Sequence, residues 1–597
     1  MSEETKAVSS HENFSLVQNP TLVDPVARWK RCPLCTHIET DYENTFCTED
    51  GTTLVWDHSE GASSRSSDPT INIPPNISLE ADSLTVEELD KATAQTVVMR
   101  FANATNAKRE LRRVKRYWIP VIVASALLAI LAVFAYRNLA RNNNVVVGSL
   151  AVLPFFNVDA DQNLEYLSDG ITDTLISSLS QLPNLNVKAR SSVFRYKGKE
   201  IAIQAVGSAL NVQAILTGRV VQRGDLLTLS LELVDARTEN VIWSEQYNRK
   251  QTDLVTLQNE IARDVSNKLR LKLSGRDEQK LAKNYTTSTE AYELYLKGRF
   301  YWNKRTLKDL EQASDYFKQA IVRDPKYALA YAGLADTYVV LPFYDKGKQS
   351  IREGMPPARS AAMQALSLDA DLAEAHVTLG VVNMYEYNYV EAEREYKRAI
   401  ELKPSYATAH QWYGVLLFYL ARHEESLAEL RWALEIDPFS IIINLDYAEG
   451  LRCARLYQEA ISQLKKTLEL NPDFVGTHQK LGKFYMTNGN YAEAANEYAT
   501  YRELIGDQDS ARLIRASFAK AGWPGVLRAI TAKDRLSKLT RYEMVTLRVA
   551  LGEKEQAFAE LDKSYELFGP MLNVDPLLDP LRDDSRFAEY LRRVGFR

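Results

Sequence analysis

The residues of this sequence with the clearest chemical potential are three cysteines near its start. Cys32 and Cys35 form a C-x-x-C pair, and Cys47 follows after eleven intervening residues. Closely spaced thiolates on tight turns can occupy adjacent corners of the tetrahedron that Zn²⁺ prefers. Asp50 stands where a second pair would have its other cysteine, so the predicted ligands are Cys32, Cys35, Cys47 and Asp50. A full shell of protein ligands leaves no open position, which predicts a structural zinc ion.

This segment resembles small bacterial zinc ribbons that end in a Phe-Cys-x-x-Asp-Gly-Thr turn, which is found here at residues 46–52. His37 or His58 could replace Asp50 as the fourth ligand. The alternative is a ribbon without metal, held by a small core, in which Asp50 and Gly51 only form a turn. Zinc is favoured because so short a domain rarely folds without a bound metal ion or a disulfide to stabilise it.

Glu165, Asp169 and Asp173 are three acids close enough in sequence to suggest acid–base chemistry. The sequence gives them no convergent His, Ser or Cys, and acids near a helix N-terminus suit the helix dipole. The motifs of a protein kinase, namely its Gly-rich loop, His-Arg-Asp and Asp-Phe-Gly, are missing from the sequence. We therefore expect no catalytic activity and no small-molecule substrate.

Residues 117–136 form an apolar run without a charged residue, and aromatic residues stand at both of its ends. About 20 helical residues span the hydrocarbon core of a bilayer. Six basic residues precede the run between positions 108 and 116, and positive charge stays in the cytoplasm. The sequence therefore predicts a single transmembrane helix in contact with lipid, in the inner membrane. Residues 1–116 would be cytoplasmic and residues 137–597 periplasmic.

Residues 145–276 combine strand patterns with helical spacing. A β-rich start is followed by a helix over 164–182 and a short helix near 203–210. Strands over 214–221 and 226–234 flank Gln222-Arg-Gly-Asp225, which is a hairpin signal. Another strand follows, and an amphipathic helix over 254–273 closes the segment. These elements predict an α+β domain with a small mixed sheet.

Several motifs in this segment resemble the TolB-like amino-terminal domain. They are Ser149-Leu-Ala-Val-Leu-Pro-Phe155, Glu165-Tyr-Leu-Ser-Asp-Gly-Ile-Thr-Asp173, Val187-Lys-Ala-Arg190 and Trp243-Ser-Glu-Gln-Tyr247. In bacteria that domain commonly precedes tetratricopeptide repeats, and a kinase, a cyclase or a winged-helix regulator often stands before it. Here the zinc ribbon takes that place, and the segment before residue 117 is too short for a cyclase.

A 34-residue period dominates the second half of the chain. Pro404, Pro438 and Pro472 mark it, and Gly or Ala and a large apolar residue recur at fixed positions between them. The pattern resembles the tetratricopeptide repeat, in which two antiparallel helices form each unit. We count six units over residues 288–506. Degenerate helical hairpins follow over residues 507–597, and their last segment, from residue 577, is predicted to cap the solenoid.

The first helices of such a solenoid line a concave face, which the resemblance implies is the binding surface. Its inward-facing residues are predicted to be Tyr295, Arg299, Trp302, Asp336, Gln411, Phe418, Glu449, Arg452, Gln479 and Lys483. Rings combined with charges of both signs suit a protein or peptide ligand. His376, His410 and His478 occupy the same slot in different repeats, so they are predicted to be packing residues and not metal ligands.

The predicted fold is multidomain: a zinc ribbon, a transmembrane helix, an α+β TolB-like domain and an all-α tetratricopeptide solenoid. Residues 1–26 are expected to be disordered, residues 27–57 form the ribbon, and residues 58–116 form a linker and a basic juxtamembrane helix. A net charge of −5 gives no case for binding nucleic acid. The predicted function is a membrane-anchored protein-interaction scaffold. The alternative is a transmembrane signalling relay without its own catalytic domain.

Overall fold

The computed structural model describes residues 30–31, 38–39, 55–56, 147–158, 162–269, 271, 273–344, 352–531 and 541–596. The chain divides into two units, Met1–Ala132 and Val133–Arg597. The described residues of the first unit are three short strands, β1 (Lys30–Arg31), β2 (Ile38–Glu39) and β3 (Val55–Trp56), in the antiparallel order β2–β1–β3. The predicted zinc ligands Cys32, Cys35, Cys47 and Asp50 lie outside the described residues, so the zinc site stays a prediction.

In the part of the chain that the structure describes, no helix is long and apolar enough to cross a membrane. The apolar helix Ala328–Tyr344, for example, has 17 residues and contains Asp336, whereas a span needs about 20 apolar residues. This finding overturns the predicted single-pass location in the inner membrane, together with its lipid contact. The run at 117–136 that led to this prediction lies outside the described residues.

An α+β domain opens the second unit. Its strands are β4 (Ser149–Val152), β5 (Phe156–Asn157), β6 (Asn186–Val187), β7 (Ala214–Arg223), β8 (Leu226–Asp235) and β9 (Val241–Lys250). Its helices are α1 (Gln162–Leu179), α2 (Arg190–Phe194), α3 (Ile203–Leu210), α4 (Leu254–Lys268) and α5 (Gly275–Leu281). The sheet order is β6–β4–β7–β8–β9, with β5 also paired to β7. The predicted small mixed sheet is confirmed.

The β7–β8 hairpin shows how the sequence sets this sheet. Leu227, Leu229, Leu231 and Leu233 alternate along β8 and are all buried, because successive side chains of a strand point to opposite faces. The turn is made by two residues, and the first of them, Gly224, has a φ of 59°. Glycine adopts that left-handed conformation without steric cost. The hairpin signal at residues 222–225 therefore predicted the turn correctly.

Six antiparallel helix pairs follow and confirm the predicted repeats. They are α6 (Thr289–Lys304) with α7 (Leu307–Arg323), α8 (Ala328–Tyr344) with α9 (Met355–Leu368), α10 (Ala373–Tyr385) with α11 (Tyr389–Leu402), α12 (Ala407–Tyr419) with α13 (His423–Ile436), α14 (Ile441–Cys453) with α15 (Tyr457–Leu470), and α16 (Val475–Thr487) with α17 (Tyr491–Leu504). We number these pairs repeats 1 to 6.

The residues that recur at fixed positions in the repeats do so for reasons of packing. In repeat 3, a Cβ added to Gly380 would lie 2.4 Å from Cε1 of Tyr396, so glycine lets the ring of the second helix fill the gap. Pro404, Pro438 and Pro472 each stand two residues beyond the end of a second helix, where a missing N–H costs nothing.

His376, His410 and His478 lie apart from one another, one in each of three first helices. Each ring places Nδ1 2.6 or 2.7 Å from a glutamate of the second helix, and Nε2 faces the carbonyl oxygen six residues earlier. They thus fasten each helix pair to its preceding loop, and they do not converge on a metal.

The chain closes with one long kinked helix and several shorter elements. α18 (Gln508–Ile530) is kinked at Gly522, whose φ is 59°. α19 (Arg541–Ala550), α20 (Lys554–Leu561) and α21 (Tyr565–Phe568) follow, then two 3₁₀ turns at Gly569–Asn573 and Pro576–Leu581, and finally α22 (Ser585–Arg593). We call residues 569–596 the C-terminal segment.

Candidate ligand-binding cavity

The α+β domain packs directly onto the first helix of repeat 1. A Cβ added to Gly170 of α1 would lie 2.9 Å from Cδ2 of Leu296, so glycine allows this close helix contact. Next to it, Arg299 Nε donates to Asp173 Oδ2 at 3.1 Å. Arg190 lies on the other side of the same carboxylate, at 3.9 Å. The acids that the sequence placed near a helix N-terminus therefore have ion-pair partners, and one pair joins the two domains.

The same domain also contacts the loops between later repeats. Ser192 Oγ donates to Asp437 Oδ1 at 2.5 Å, and Ser191 binds the other oxygen of that carboxylate. The backbone N–H of Ala189 donates to the carbonyl oxygen of Ile436 at 3.0 Å. Lys403 Nζ donates to Ser177 Oγ at 2.8 Å. The domain is therefore fixed to repeats 1, 3 and 4.

The C-terminal segment docks on the repeats from another side. Asp575 accepts from Arg452 Nη1 at 2.8 Å, and Asn573 Nδ2 donates to the carbonyl oxygen of Tyr419 at 2.8 Å. Tyr389 donates to the carbonyl oxygen of Val594, and its ring stacks on Phe596 at 5.0 Å. This segment therefore links repeats 3, 4 and 5, which makes it more than a cap on the end of the array.

Between these contacts lies a cavity of about 1380 Å³. All six first helices contribute side chains to it, and the α+β domain and the C-terminal segment contribute more. Aromatic rings line much of it, including Phe343, Tyr385 and Trp412. The ring centre of Phe343 lies 6.2 Å from that of Tyr385 and 6.4 Å from that of Trp412. These three rings come from the first helices of repeats 2, 3 and 4, so neighbouring repeats bring them together.

The structure brings most of the predicted partner-binding residues to this cavity. Those that line it are Tyr295, Arg299, Trp302, Asp336, Gln411, Phe418, Glu449 and Lys483. Gln479 is half-buried outside the lining. The prediction that Arg452 binds a partner is wrong. Its side chain is 0% exposed and lies between Glu449 and Asp575, so a ligand cannot reach it.

Most charges in the cavity are matched within the protein. Burial alone would raise the pKa of Asp173, but Arg299 and Arg190 hold it below its ordinary value. Burial opposes ionisation of Glu374 as well, and the Lys403 ammonium at 2.8 Å outweighs it and lowers the pKa of Glu374. Glu449 binds Lys480 at 2.7 Å and Lys483 at 3.1 Å. These groups position one another and leave little free charge for acid–base chemistry.

Asp336, Asp446 and Arg305 are less well matched, and burial also raises the pKa of Asp446 to about 6. Burial raises the pKa of Asp336 to about 6. Its partners offset burial only in part, because Arg299 lies 3.9 Å away and the nearer group, the Thr378 hydroxyl at 2.8 Å, carries no charge. Burial lowers the pKa of Arg305 to about 10, so this guanidinium stays protonated at neutral pH.

We expect Asp336→Asn to flatten the pH dependence of stability between pH 4 and pH 7. In the wild type the folded-state pKa of about 6 lies above the unfolded value of about 3.9, so the carboxyl group stabilises the fold at low pH. That contribution, about 1–3 kcal/mol, is lost as the pH rises through 6. Urea unfolding at pH 5 and pH 7 measures the difference. An equal difference in wild type and variant would contradict this assignment.

Sequence reasoning missed several lining residues. Trp412 follows the predicted Gln411 on the same helix, and its aromatic character was the available signal. No pattern in the sequence indicated Glu374 and Lys403, because these two residues lie at opposite ends of one repeat and meet only in the folded structure. Asp173 and Arg190 belong to a different domain, and no local pattern indicates that they reach the repeats.

Fold and cavity together define a helical-repeat protein whose first helices line a cavity that an α+β domain partly covers. The family model for the second domain of HilA/YgeH-like transcriptional regulators matches residues 146–264. That match falls on the segment assigned to the TolB-like domain and carries a different family name.

Among curated proteins, putative adenylate cyclase 3 of Rhizobium meliloti (strain 1021) is 30% identical over 245 residues, which are 41% of this chain and 42% of that protein. The chain thus matches less than half the length of this relative.

Among solved structures, the chain is similar to YrrB, described as a TPR protein with an unusual peptide-binding site. They are 20% identical over 34% of this chain and 97% of that one, with a TM-score of 0.25. PilF of Pseudomonas aeruginosa is 17% identical over 45% and 98%, with a TM-score of 0.27. Human IFIT1 is 15% identical over 57% and 77%, with a TM-score of 0.35. Since these TM-scores are low, the tetratricopeptide assignment relies on the helix pairing itself.

Proposed function

We propose that this protein is an interaction scaffold that binds a peptide or an extended protein segment in the cavity between its repeats and its α+β domain. The observation that supports this most is the cavity itself, which is lined by all six first helices. Its volume of about 1380 Å³ exceeds the range of about 300–1,000 Å³ usual for small-molecule sites. A peptide segment of several residues suits this size better than a metabolite.

The chemistry of the lining also favours a peptide. Aromatic rings such as Trp412 and Tyr385 offer large contact areas with a polar edge, and such rings dominate the binding energy of protein interfaces. Charges of both signs alternate with them. The matched pairs Asp173–Arg299 and Glu374–Lys403 stay fixed and shape the walls.

We further propose that the protein has no catalytic activity of its own. In support, the cavity acids Asp173, Glu374 and Glu449 are already engaged with basic side chains. The cyclase relative matches only 41% of this chain. A TolB-like role for residues 145–276 and a structural zinc ion in residues 27–57 remain parts of this proposal.

Repeat 4 provides a matched pair of tryptophans to test peptide binding. Trp412 lines the cavity from the first helix, whereas Trp432 lies on the second helix with 39% of its surface exposed. Peptides selected from a displayed random library on the full-length protein should bind Trp412→Ala at least about tenfold more weakly than wild type, as loss of an anchoring ring requires.

The control Trp432→Ala should bind the same peptides within about twofold of wild type, because its ring faces away from the cavity. Isothermal titration calorimetry with each selected peptide gives both affinities. Equal weakening in the two variants, or none in Trp412→Ala, would reject the cavity as the binding site.

A further inference from the structure

Arg305 lines the same cavity as Arg299 and Arg190 but lacks the ion pairs that hold those two side chains. It follows the first helix of repeat 1 in the left-handed conformation, with a φ of 56°. Its guanidinium carbon lies 3.6 Å from the centre of the Trp302 ring. Among the described residues, no carboxylate lies within 4.0 Å of it and no acceptor takes its hydrogen bonds, so its charge is not neutralised by an ion pair.

The Trp302 ring beneath this guanidinium also carries an unpaired polar atom. Its indole Nε1 is buried and has no hydrogen-bond partner within the described part of the chain. Arg299 also lies over this ring, at 4.5 Å, but it is bound to Asp173. Asp336, the nearest acid on the next repeat, is shared between Arg299 and Thr378. Arg305 therefore brings to this corner of the cavity a positive charge that no carboxylate of the described residues neutralises within 4.0 Å.

We propose that the cavity binds a carboxylate of its peptide ligand at the Arg305 guanidinium, which lies over the Trp302 ring. This inference rests on the proposed peptide-binding function and deepens it, since it identifies the ligand as acidic. The Trp302 ring holds the guanidinium in place by cation–π stacking, which reduces the side-chain freedom lost on binding. A carboxylate accepts from a guanidinium through two oxygens, and such charge-assisted bonds are the strong ones in a partly desolvated site.

The indole N–H of Trp302 is a direct reporter of this site. In the full-length protein labelled with ¹⁵N-tryptophan, its cross-peak is assigned by its absence in Trp302→Phe. Titration with the peptide Ac-Ala-Asp-Ala-NH₂ should shift this peak in a saturable way. The neutral peptide Ac-Ala-Asn-Ala-NH₂ should shift it at concentrations about tenfold or more higher, because a charged hydrogen bond is lost.

Arg305→Gln should weaken binding of the acidic peptide about tenfold or more and remove the difference between the two peptides. The matched control is Arg276→Gln, which removes the same charge from an exposed arginine elsewhere on the lining and should preserve the preference. Inorganic phosphate is titrated as a third probe. A shift with phosphate alone would overturn the carboxylate assignment.

The outcomes separate this inference from the proposed function. If both peptides shift the peak equally, and equally in Arg305→Gln, the cavity binds peptides and the acidic preference is wrong. If neither peptide shifts any tryptophan peak of the cavity and the library yields no binder, peptide binding itself fails.

Discussion

Arg452→Met should lower the free energy of unfolding by about 3–5 kcal/mol, because it leaves two buried carboxylates without their main cation. Glu449 and Asp575 both bind the Arg452 guanidinium, and Asp575 is 0% exposed. Lys483, 3.1 Å from Glu449 and 3.9 Å from Asp575, compensates only in part. The loss should also release the C-terminal segment from the repeats. Chemical denaturation, with hydrogen exchange on residues 569–596, measures both effects.

Arg455→Met is the matched control for this prediction. Arg455 lies three residues further along, and it pairs with Asp579 of the same C-terminal segment at 2.9 Å. Its side chain is 42% exposed, so its loss should cost less than about 1 kcal/mol. In Arg452→Met, the second change Asp575→Asn should recover part of the stability, since it removes one of the stranded charges. Equal costs for the two arginines would contradict a buried anchor.

Asp173→Asn should cost about 3–5 kcal/mol and loosen the α+β domain from repeat 1. Asp173 is buried, and its carboxylate neutralises both Arg299 and Arg190. Asparagine retains the shape of the side chain and removes the charge, so Arg299 would keep only the more distant Asp336, at 3.9 Å, and Arg190 would keep Asp169, at 3.7 Å. Hydrogen exchange in α1 and α6 should rise together, since the pair joins these helices.

The pH dependence of this pair has a definite sign. Because the pKa of Asp173 is lower in the folded state, its contribution is present above the unfolded value of about 3.9 and is lost as the pH falls through the folded value. The Asp173→Asn variant should therefore be less stable than the wild type at pH 7. Its stability should also fall less as the pH is lowered, because this carboxylate is no longer there to be protonated.

Glu290→Gln is the matched control for Asp173→Asn. Glu290 lies on the same helix as Arg299 and pairs with Arg323 at 2.9 Å, but both side chains are more than half exposed. Its loss should cost less than about 1 kcal/mol and leave exchange in α1 unchanged. If Asp173→Asn behaves like this control, the ion pair does not hold the two domains together.

Neighbouring residues made the repeats predictable from the sequence. Gly380 and Tyr396 touch within one helix pair, and Pro404 ends that pair, so the whole pattern recurs with a fixed period. The β7–β8 hairpin was predictable for the same reason, because Gly224 and the alternating leucines of β8 act over a few residues. The concave residues followed from helix geometry, which placed Trp302, Gln411 and Phe418 on one surface.

The prediction of a membrane location was wrong, and it rested on the composition and length of one apolar run and on the charges that flank it. A charge-free run of 20 residues fits the length of a bilayer span, yet the structure describes no helix that could cross a membrane. Arg452 failed for a different reason. Its spacing was right for the concave face, but the C-terminal segment returns to cover it.

The sequence alone determined the α+β domain, the six helix pairs and the face that the first helices present, because all three arise from local periodicity. Only the tertiary structure decided which charges remain free for a ligand. Arg452 meets Asp575 across 123 positions, and Ser191 meets Asp437 across 246. Such contacts depend on how distant elements pack. No local pattern therefore distinguishes Arg299, which is paired, from Arg305, which has no ion pair among the described residues.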